Sequence, residues 1–344
     1  MSTERKIVNW GFVGASTWAR RYLIPIVEGL PDSHPVGVFS SSPERGEQFA
    51  QETGLERSYA SLEELLADPG IDAVYVSTTN ERHAEQTIAA ARAGKHVLCE
   101  KPLALNLADA VRMRDECERA GVVLATNHAH RASAGIARMR ELIAAGEIGE
   151  VVAARVFQAA YLAEELQTWR LRRPEAGAGV ILDLTVHDAD TVRFLLAEEV
   201  AEVTAVTANQ GLAGPGVEDS AMGVMRMAGG QLVSFHDSFV VPHSSTGIEV
   251  YGTTGSLIGR AVLTPDASAE LQLRRGEEVE SLELATGPSI YEVAVRRFDA
   301  AVRSEGTPLA SGEDGIASLA IALAAAESAR TGAPVKPARR APAI

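Results

Sequence analysis

The stretch GFVGASTWA, Gly11–Ala19, begins within the first apolar run of the chain, Ile7–Val13, and continues beyond it. Gly11 and Gly14 have the spacing of the glycine-rich turn that joins the first strand to the first helix of a dinucleotide-binding βαβ unit. At Gly14 the backbone can approach a pyrophosphate. A helix that begins near Thr17 directs its amides and its positive dipole end toward that group.

The third glycine of this fingerprint is replaced by other small residues. Ser16 and Ala19 are compact enough for close packing, and the hydroxyls of Ser16 and Thr17 can cap the helix or bind phosphate. A tight turn after a buried strand stays an alternative for this stretch taken alone. Its place on the first strand of a strand–helix series favours the dinucleotide site.

Short apolar runs alternate with amphipathic stretches up to about residue 126. This alternation predicts an α/β fold with a doubly wound parallel sheet of the Rossmann type over residues 1–126. Ligands of such sheets lie beyond the carboxyl ends of the strands. The predicted strands are Ile7–Val13, Pro35–Ser40, Ala73–Ser77, His96–Cys99 and Val122–Thr126, and the predicted helices include Glu81–Ala93 and Leu107–Ala120.

The end of the second predicted strand bears on the choice of cofactor. NAD sites usually present an acidic residue there for the ribose 2′-hydroxyl, whereas Ser40 and Ser41 occupy this position and Arg45 follows one turn later. Hydroxyl groups and a guanidinium suit the 2′-phosphate of NADP(H), which a carboxylate would repel. Ser42 and the proline after it also form a helix N-cap pattern, and Glu44 is the residue that argues for NAD.

Charge and cysteine content exclude several classes of protein. The 344 residues include 46 acidic and 32 basic ones, and the net charge of −14 disfavours binding to nucleic acid or to an anionic membrane. The 2 cysteines cannot build a disulfide framework. The sequence has no signal pattern and no apolar run long enough to span a membrane, so we expect a cytoplasmic protein.

An acid–lysine–proline step, Glu100-Lys101-Pro102, ends the predicted strand His96–Cys99. A lysine at the carboxyl end of such a strand points into the cleft where a nicotinamide would lie. Pro102 would fix the backbone there, and a cis peptide bond is one way to do so. A strand stopped by proline, with a solvated lysine, is the alternative.

A second group of polar residues follows the glycine-rich stretch 177–179. Asp183 and His187 are four residues apart, so on a helix their side chains share one face and can reach a common substrate. An imidazole is suited to proton transfer near neutral pH. The alternatives are a helix N-cap for Asp183 and a surface position for His187.

From residue 127 onward the pattern changes to strands with hairpin punctuation, which predicts a second domain over 127–333 with a largely antiparallel sheet. One face of that sheet would form a substrate wall, and the other is available for self-association or for solvent. Residues 334–344 are predicted to be a disordered tail. The predicted strands are Glu150–Leu162, Ala201–Asn209, Ser220–Arg226, Gln231–Val240, Gly247–Tyr251 and Glu270–Arg274, followed by helices Ile290–Arg303 and Gly312–Arg330.

Two histidines, His128 and His130, lie two residues apart and raise the question of a metal site. No acidic or cysteine partners complete a ligand set with them. A polar cleft rim explains the two residues better, and we expect no metal.

Taken together, these motifs resemble the Gfo/Idh/MocA oxidoreductases. The resemblance extends from Trp10 to about Thr331 and includes the long stretch WRLRRPEAGAGVILDLTVHDADT, which begins at Trp169. It implies a Rossmann domain followed by an α/β domain built on an open, largely antiparallel sheet. The other motifs that carry it are the glycine turn, Ser77-Thr78-Thr79-Asn80 with His83, CEKPLA at residues 99–104 and the Asp183…His187 pair.

The resemblance also implies roles for particular residues. Lys101 and His187 would flank a carbonyl carbon and share proton delivery, with Asp183 beside them, and which of the two gives the proton stays open. Trp18 stands where an aliphatic residue is more usual. With the residues of the glycine turn and of the second strand, the set expected to bind NADP(H) is Gly11, Gly14, Ser16, Thr17, Trp18, Ala19, Ser40, Ser41, Arg45, Thr78, Thr79, Asn80, His83, Glu100, Lys101, Asn127, Trp169, Arg170 and Tyr291.

The implied activity is the NADPH-dependent reduction of a small keto-sugar by hydride transfer to a ketone. The nearest alternative is another sugar or polyol dehydrogenase, such as an inositol-type enzyme that uses NAD. An alternative of another class is a non-catalytic NADP(H)-binding regulatory protein. The joint presence of Lys101, Asp183 and His187 argues against that last alternative.

Overall fold

The computed structural model of the chain describes residues 6–264 and 269–338. They form two compact units: unit 1 spans residues up to 129 together with 291–316, and unit 2 spans 130–290 together with residues from 317 onward. The sequence predicted one boundary at 126/127 and placed 291–316 in the second domain. These residues belong to unit 1 instead, because Phe298 packs on Trp10 with ring centroids 5.0 Å apart and Asp299 accepts a hydrogen bond from the Trp10 indole at 3.2 Å.

Unit 1 is built on a parallel sheet of six strands in the order β3-β2-β1-β4-β5-β6. This confirms the predicted doubly wound sheet and adds the short strand β3. The order reverses between β1 and β4, so the loops after these two strands lie at the switch point where such sheets bind ligands. The strands are β1 Val8–Val13, β2 Ser33–Phe39, β3 Arg57–Tyr59, β4 Ala73–Val76, β5 His96–Cys99 and β6 Leu124–Thr126.

In the described part of unit 1, six α-helices accompany this sheet. Their apolar residues are buried against it, as the alternation of strands and amphipathic stretches requires. Helix α8 supplies the Phe298 and Asp299 contacts described above. The helices are α1 Ile24–Gly29, α2 Pro43–Thr53, α3 Leu62–Ala67, α4 His83–Arg92, α5 Leu107–Ala120 and α8 Ile290–Val302.

Unit 2 contains a mixed sheet of eight strands in the order β14-β13-β12-β11-β7-β10-β9-β8. Among the strand pairs of the described residues, the β7–β10 pair alone is parallel, which confirms a largely antiparallel sheet. The strands β12 and β14 were not predicted from the sequence. The strands are β7 Val151–Ala159, β8 Val200–Ala208, β9 Ser220–Met227, β10 Leu232–Ser238, β11 Thr246–Gly252, β12 Ser256–Arg260, β13 Glu270–Arg275 and β14 Glu278–Leu282.

One face of this sheet carries the core of unit 2. Helices α6 Ala134–Ala144, α7 Val186–Leu196 and α9 Gly312–Thr331 contribute buried apolar side chains to it. On the other face Val206 and Met222 are 68% and 49% exposed. The inward and outward alternation along each strand produces this contrast between the two faces.

The chain after α9 departs in part from the predicted disorder. Val335 exchanges two backbone hydrogen bonds with Val203 on the edge strand β8, at 2.8 and 2.9 Å, so this part of the segment 334–344 is ordered. An edge strand has unpaired amides and carbonyls that such a segment satisfies. Residues 339–344 lie outside the described residues.

No helix within residues 6–264 or 269–338 combines the length and the apolar character that a membrane crossing requires.

Candidate active site

The glycine turn after β1 is packed against the loop after β4. Gly14 has φ +108°, and a Cβ atom there would lie 3.0 Å from Cγ2 of Thr78 and 3.1 Å from the Ser77 backbone. Only glycine fits this conformation and this spacing. The Ser16 hydroxyl accepts from the amide of Ala19 at 3.0 Å and donates to the hydroxyl of Ser77 at 2.9 Å. The helix then begins with a π-helical turn, Ala19–Leu23, and Thr17 is exposed at its start.

The end of β2 confirms the capping pattern. The hydroxyl of Ser42 accepts the amide of Arg45 at 3.3 Å and caps α2. It also donates to Glu44 at 2.6 Å, and this bond lowers the pKa of the exposed Glu44 carboxyl. Ser41 is exposed, whereas Ser40 is 4% exposed.

The loop after β4 is tied to the acid–lysine–proline step by His83. This imidazole is buried, with Nδ1 2.9 Å from the carbonyl oxygen of Pro102 and Nε2 3.3 Å from that of Thr78. Burial lowers the pKa of His83, which favours the neutral ring. The hydroxyl of Thr78 donates to Gln86 at 2.6 Å. The peptide bond between Lys101 and Pro102 is cis, as the sequence suggested.

Glu100 is held by Tyr75 on β4 and by Asn127, which directly follows β6. Its Oε1 atom accepts from the hydroxyl of Tyr75 and from Nδ2 of Asn127, both at 2.6 Å. Burial raises the pKa of Tyr75 well above its usual range, so its hydroxyl stays a donor. The sequence reasoning missed Tyr75. Its place in the apolar strand AVYV, one residue before the strand ends, was the available signal.

An aromatic cluster lies beside the glycine turn in unit 1. The rings of Tyr22 and Tyr291 have centroids 4.6 Å apart, and those of Trp18 and Tyr22 are 6.1 Å apart. Trp18 and Tyr291 were expected near the cofactor, and Tyr22 was missed. Burial raises the pKa of Tyr291 above its usual range.

In unit 2, Asp183 lies inside a π-helical turn, Ile181–Thr185, that continues into α7. Asp183 is therefore not a helix N-cap, and that alternative is wrong. The turn is capped by Glu218, whose Oε1 accepts the amide of Ile181 at 3.2 Å. Gly179 has φ +113°, and a Cβ atom there would collide with the Glu218 carboxylate.

Two neighbours approach the Asp183 and His187 side chains within unit 2. The Nε atom of Arg170 is 3.6 Å from Oδ1 of Asp183. The half-buried ring of His187 stacks on that of His130, with centroids 4.4 Å apart and an interplanar angle of 26°. The Arg170 guanidinium also lies 4.7 Å from the ring centroid of Trp169.

The predicted site residues thus form two groups. Those of unit 1 gather around the glycine turn, the loop after β4 and the acid–lysine–proline step, which carries Lys101. Those of unit 2 gather around the π-helical turn: Trp169, Arg170, Asp183 and His187. No group of three or more His, Cys, Asp or Glu side chains in the described ranges is arranged to hold a metal ion.

Comparison with known proteins gives the family. Residues 8–128 match the oxidoreductase family with an NAD-binding Rossmann fold, GFO_IDH_MocA, and residues 136–258 match the GFO/IDH/MocA C-terminal domain. The chain is also 50% identical over 324 residues to a 1,5-anhydro-D-fructose reductase of Ensifer adhaerens, covering 94% of this chain and 97% of that protein. The chain belongs to the Gfo/Idh/MocA family of oxidoreductases.

Other Gfo/Idh/MocA proteins resemble the chain less closely. A myo-inositol 2-dehydrogenase of Thermotoga maritima is 32% identical over 83% of this chain and 85% of its own length. The structure of an aldose-aldose oxidoreductase from Caulobacter crescentus, complexed with glycerol, superposes with a TM-score of 0.88 at 25% identity and covers 96% of this chain and 100% of that one. This Gfo/Idh/MocA oxidoreductase therefore has relatives that act on sugars and inositols.

Proposed function

We propose that this protein is an NADPH-dependent reductase that converts the C2 ketone of 1,5-anhydro-D-fructose into the alcohol of 1,5-anhydro-D-mannitol. The observation that carries the proposal is the 50% identity, over 94% of this chain, to a 1,5-anhydro-D-fructose reductase. That identity includes both domains of the family, so it covers the cofactor-binding and the substrate-binding parts of the chain.

The residues of unit 1 fit a nicotinamide dinucleotide. Gly14 has no side chain where the backbone turns, and Thr17 is exposed at the start of the helix that follows. Glu100, held by Tyr75 and Asn127, would accept a ribose hydroxyl. When bound, the reduced nicotinamide supplies a hydride to the ketone carbon.

The protein's own part in the reaction is to bind the ketone and to protonate its oxygen. We assign proton delivery to Lys101 and His187 together, since an ammonium and an imidazole can each donate a proton to a developing alkoxide. Asp183 would bind or orient the sugar. The Arg170 guanidinium, with its Nε atom 3.6 Å from Oδ1 of Asp183, would hold that carboxylate in place.

The proposal of NADP(H) rests on the end of β2. Arg45 is a cation that would pair with a 2′-phosphate, and the exposed hydroxyl of Ser41 would donate to it. The Glu44 carboxylate would repel a 2′-phosphate, but it accepts a hydrogen bond from the Ser42 hydroxyl, which holds it at the helix cap.

A second candidate is an NAD-dependent inositol dehydrogenase, which the 32% identity to a myo-inositol 2-dehydrogenase favours. A substrate panel separates the two. The purified protein is given NADPH or NADH with 1,5-anhydro-D-fructose and other keto-sugars, and NAD⁺ or NADP⁺ with myo-inositol. Turnover of myo-inositol with NAD⁺, without turnover of 1,5-anhydro-D-fructose, would replace the first proposal with the second.

We also infer that the outer face of the unit 2 sheet mediates self-association. The face carries exposed Val206 and Met222 and a groove of about 830 Å³ lined by Phe157 and His236 among others. Sedimentation of the wild type and of Met222→Glu tests this inference, and a wild-type monomer would refute it.

We further infer that the protein works in the cytoplasm. Both cysteines are free and buried, as a reducing compartment permits. Fractionation of cells tests this inference, and recovery of the protein from the medium or periplasm would refute it.

A further inference from the structure

Two carboxyl groups that the proposed reaction does not use are buried together in unit 2. Asp188 lies in the first turn of α7 and Asp237 lies on β10, and both residues are 0% exposed. Gln158, which donates a hydrogen bond to Asp188, is paired in register with Asp237 across β7 and β10, so the two carboxyl groups lie close together. Carboxylates are rarely buried this deeply without compensation, so the pair requires an explanation.

Uncharged donors make the other contacts of the pair. Nε2 of Gln158 donates to Oδ1 of Asp188 at 2.6 Å, and the hydroxyl of Thr185 donates to Oδ2 of Asp237 at 2.5 Å. The remaining oxygens, Oδ2 of Asp188 and Oδ1 of Asp237, are buried and receive no donor from the described residues. Two carboxylates offer only acceptors to each other, so these oxygens can form a hydrogen bond only if one of the two groups carries a proton.

The surroundings place that proton on Asp188. Burial raises the pKa of Asp188 well above its usual range, and the charge of Asp237 raises it further. Burial raises the pKa of Asp237 only to about 6, because hydrogen bonds from Asp188, Thr185 and the Gln158 backbone favour its charged form. The stronger upward shift of the Asp188 pKa makes Asp188 the acid of the pair and Asp237 its carboxylate.

Charged groups on the adjoining elements have contacts of their own. The carboxylate of Asp190, also on α7, receives two hydrogen bonds from Arg131 at 2.6 and 2.8 Å. Glu218 accepts the Ile181 amide at the start of the π-helical turn. His236 on β10 lines the groove on the outer face of the sheet. The charge of Asp237 on β10 raises the pKa of Asp188.

The pair anchors the segment that carries two of the proposed catalytic residues. Thr185 ends the π-helical turn that contains Asp183, and Asp188 directly follows His187. Thr185 and Asp188 are both 0% exposed and bond to residues of β10 and β7. His187 therefore lies between two residues that are fixed to the sheet.

We propose that Asp188 and Asp237 share one proton as an acid–carboxylate pair, and that this pair is a positioning device for Asp183 and His187. Asp188 donates its proton to a carboxylate oxygen of Asp237, and neither group touches the substrate. The positioning role rests on the proposed function, whereas the sharing of the proton stands without it.

The same isosteric change at each member of the pair tests the proposal. In Asp188→Asn, Oδ1 still accepts from Gln158 and the new amide donates to the Asp237 carboxylate, so the network survives. In Asp237→Asn, the amide group cannot accept all the hydrogen bonds that the carboxylate accepted. We expect kcat within about twofold of wild type for Asp188→Asn and at least about tenfold lower for Asp237→Asn, with KM for NADPH unchanged in both.

Thermal unfolding provides a readout that needs no substrate. The pKa of Asp188 is higher in the folded state than in the unfolded state, so the wild type loses stability as the pH rises through that interval. Asp188→Asn has no such ionisation. We expect its Tm to rise relative to that of wild type as the pH increases from about 5 to about 9, and Asp237→Asn to lie below wild type over this range.

Two results would overturn the proposal. If Asp237→Asn keeps the wild-type kcat and Asp188→Asn does not, Asp237 rather than Asp188 carries the proton. If both variants have wild-type kcat, the pair has no positioning role. Should Asp237→Asn fail to fold, Thr185→Val and Thr185→Ser replace it: valine is expected to lower kcat and serine to restore it. If neither the wild type nor any variant catalyses the proposed reaction, but the Tm values change with pH as expected, only the proposed function is refuted.

Discussion

The guanidinium of Arg45 donates from NH2 to the carbonyl oxygen of Ala15 at 2.6 Å, which joins the start of α2 to the glycine turn. Arg45 therefore has two possible effects on the cofactor, one through the shape of the turn and one through its charge. Only the charge distinguishes a 2′-phosphate from a 2′-hydroxyl.

Replacement of Arg45 by glutamine separates these effects, since its amide still offers an N–H donor. We expect Arg45→Gln to raise KM for NADPH about tenfold and to leave KM for NADH nearly unchanged, because a charge-assisted hydrogen bond is lost only with the phosphate. Steady-state kinetics with both cofactors measure this. Equal changes for NADPH and NADH would assign Arg45 to the turn alone.

Lys101 and His187 are expected to act in the chemical step. Lys101→Met and His187→Ala should each lower kcat by about 100-fold or more, while the Kd for NADPH stays close to that of wild type. Lys6→Met and His34→Ala are matched controls at exposed positions and should keep wild-type kcat. Wild-type turnover by both active-site variants would remove the assignment.

Gly179 gives a prediction on stability. Gly179→Ala combines an unfavourable φ of +113° with a collision against Glu218, the cap of the π-helical turn. Gly211 has nearly the same φ, +109°, but open space around it. Backbone strain should cost both alanine variants about 1–3 kcal/mol of unfolding free energy, and Gly179→Ala should also lose kcat through the displaced cap. Denaturant unfolding and kinetics compare them, and equal kcat values would contradict the role given to the cap.

Trp18 donates its indole N–H to the hydroxyl of Tyr291 at 2.9 Å, which ties the helix after the glycine turn to α8. Trp18→Phe and Tyr291→Phe each remove this bond and keep an aromatic ring. We expect each to weaken NADPH binding by a factor of about three to ten and the double variant to be no worse than either, as for partners of one interaction. Fluorescence titration measures Kd, and additive losses would show that the two residues act separately.

The buried carboxyl group of Asp299 should make the stability of the protein depend on pH. Burial raises the pKa of this carboxyl to about 7, although hydrogen bonds from Ser33 and Trp10 favour its charged form. The folded state therefore binds more protons than the unfolded state between about pH 4 and 7, and stability falls as the pH rises through this interval. The Tm of Asp299→Asn should gain on that of wild type over the same interval. A constant difference in Tm would contradict the raised pKa.

Much of the fold follows from local pattern. The buried strands of unit 1 were predicted because short apolar runs, bounded by helices of clear period, have few other folds available. β12 and β14 were missed because glycine and charged residues dilute the apolar alternation in SLIGR and EVESL. The return of residues 291–316 to unit 1 was not predictable from pattern, since it depends on the packing of Phe298 against Trp10, far away in the sequence.

The candidate catalytic residues were easier to predict from the sequence than the residues that hold them in position. Lys101, Asp183 and His187 stand in motifs with fixed spacing, which marks them without any knowledge of tertiary contacts. Tyr75 and the pair Asp188–Asp237 carry no such mark. Their roles depend on burial and on hydrogen bonds between residues that are far apart in the sequence and meet only in the folded chain.

The proposed reaction is hydride transfer from NADPH to the C2 ketone of 1,5-anhydro-D-fructose. It is tested most directly by single-turnover mixing of the protein, loaded with NADPH deuterated at the transferable C4 position, with this sugar, followed by analysis of the product. We expect rapid loss of the reduced cofactor and deuterium at C2 of 1,5-anhydro-D-mannitol. Persistence of the reduced cofactor, with myo-inositol oxidised by NAD⁺ under the same conditions, would contradict it.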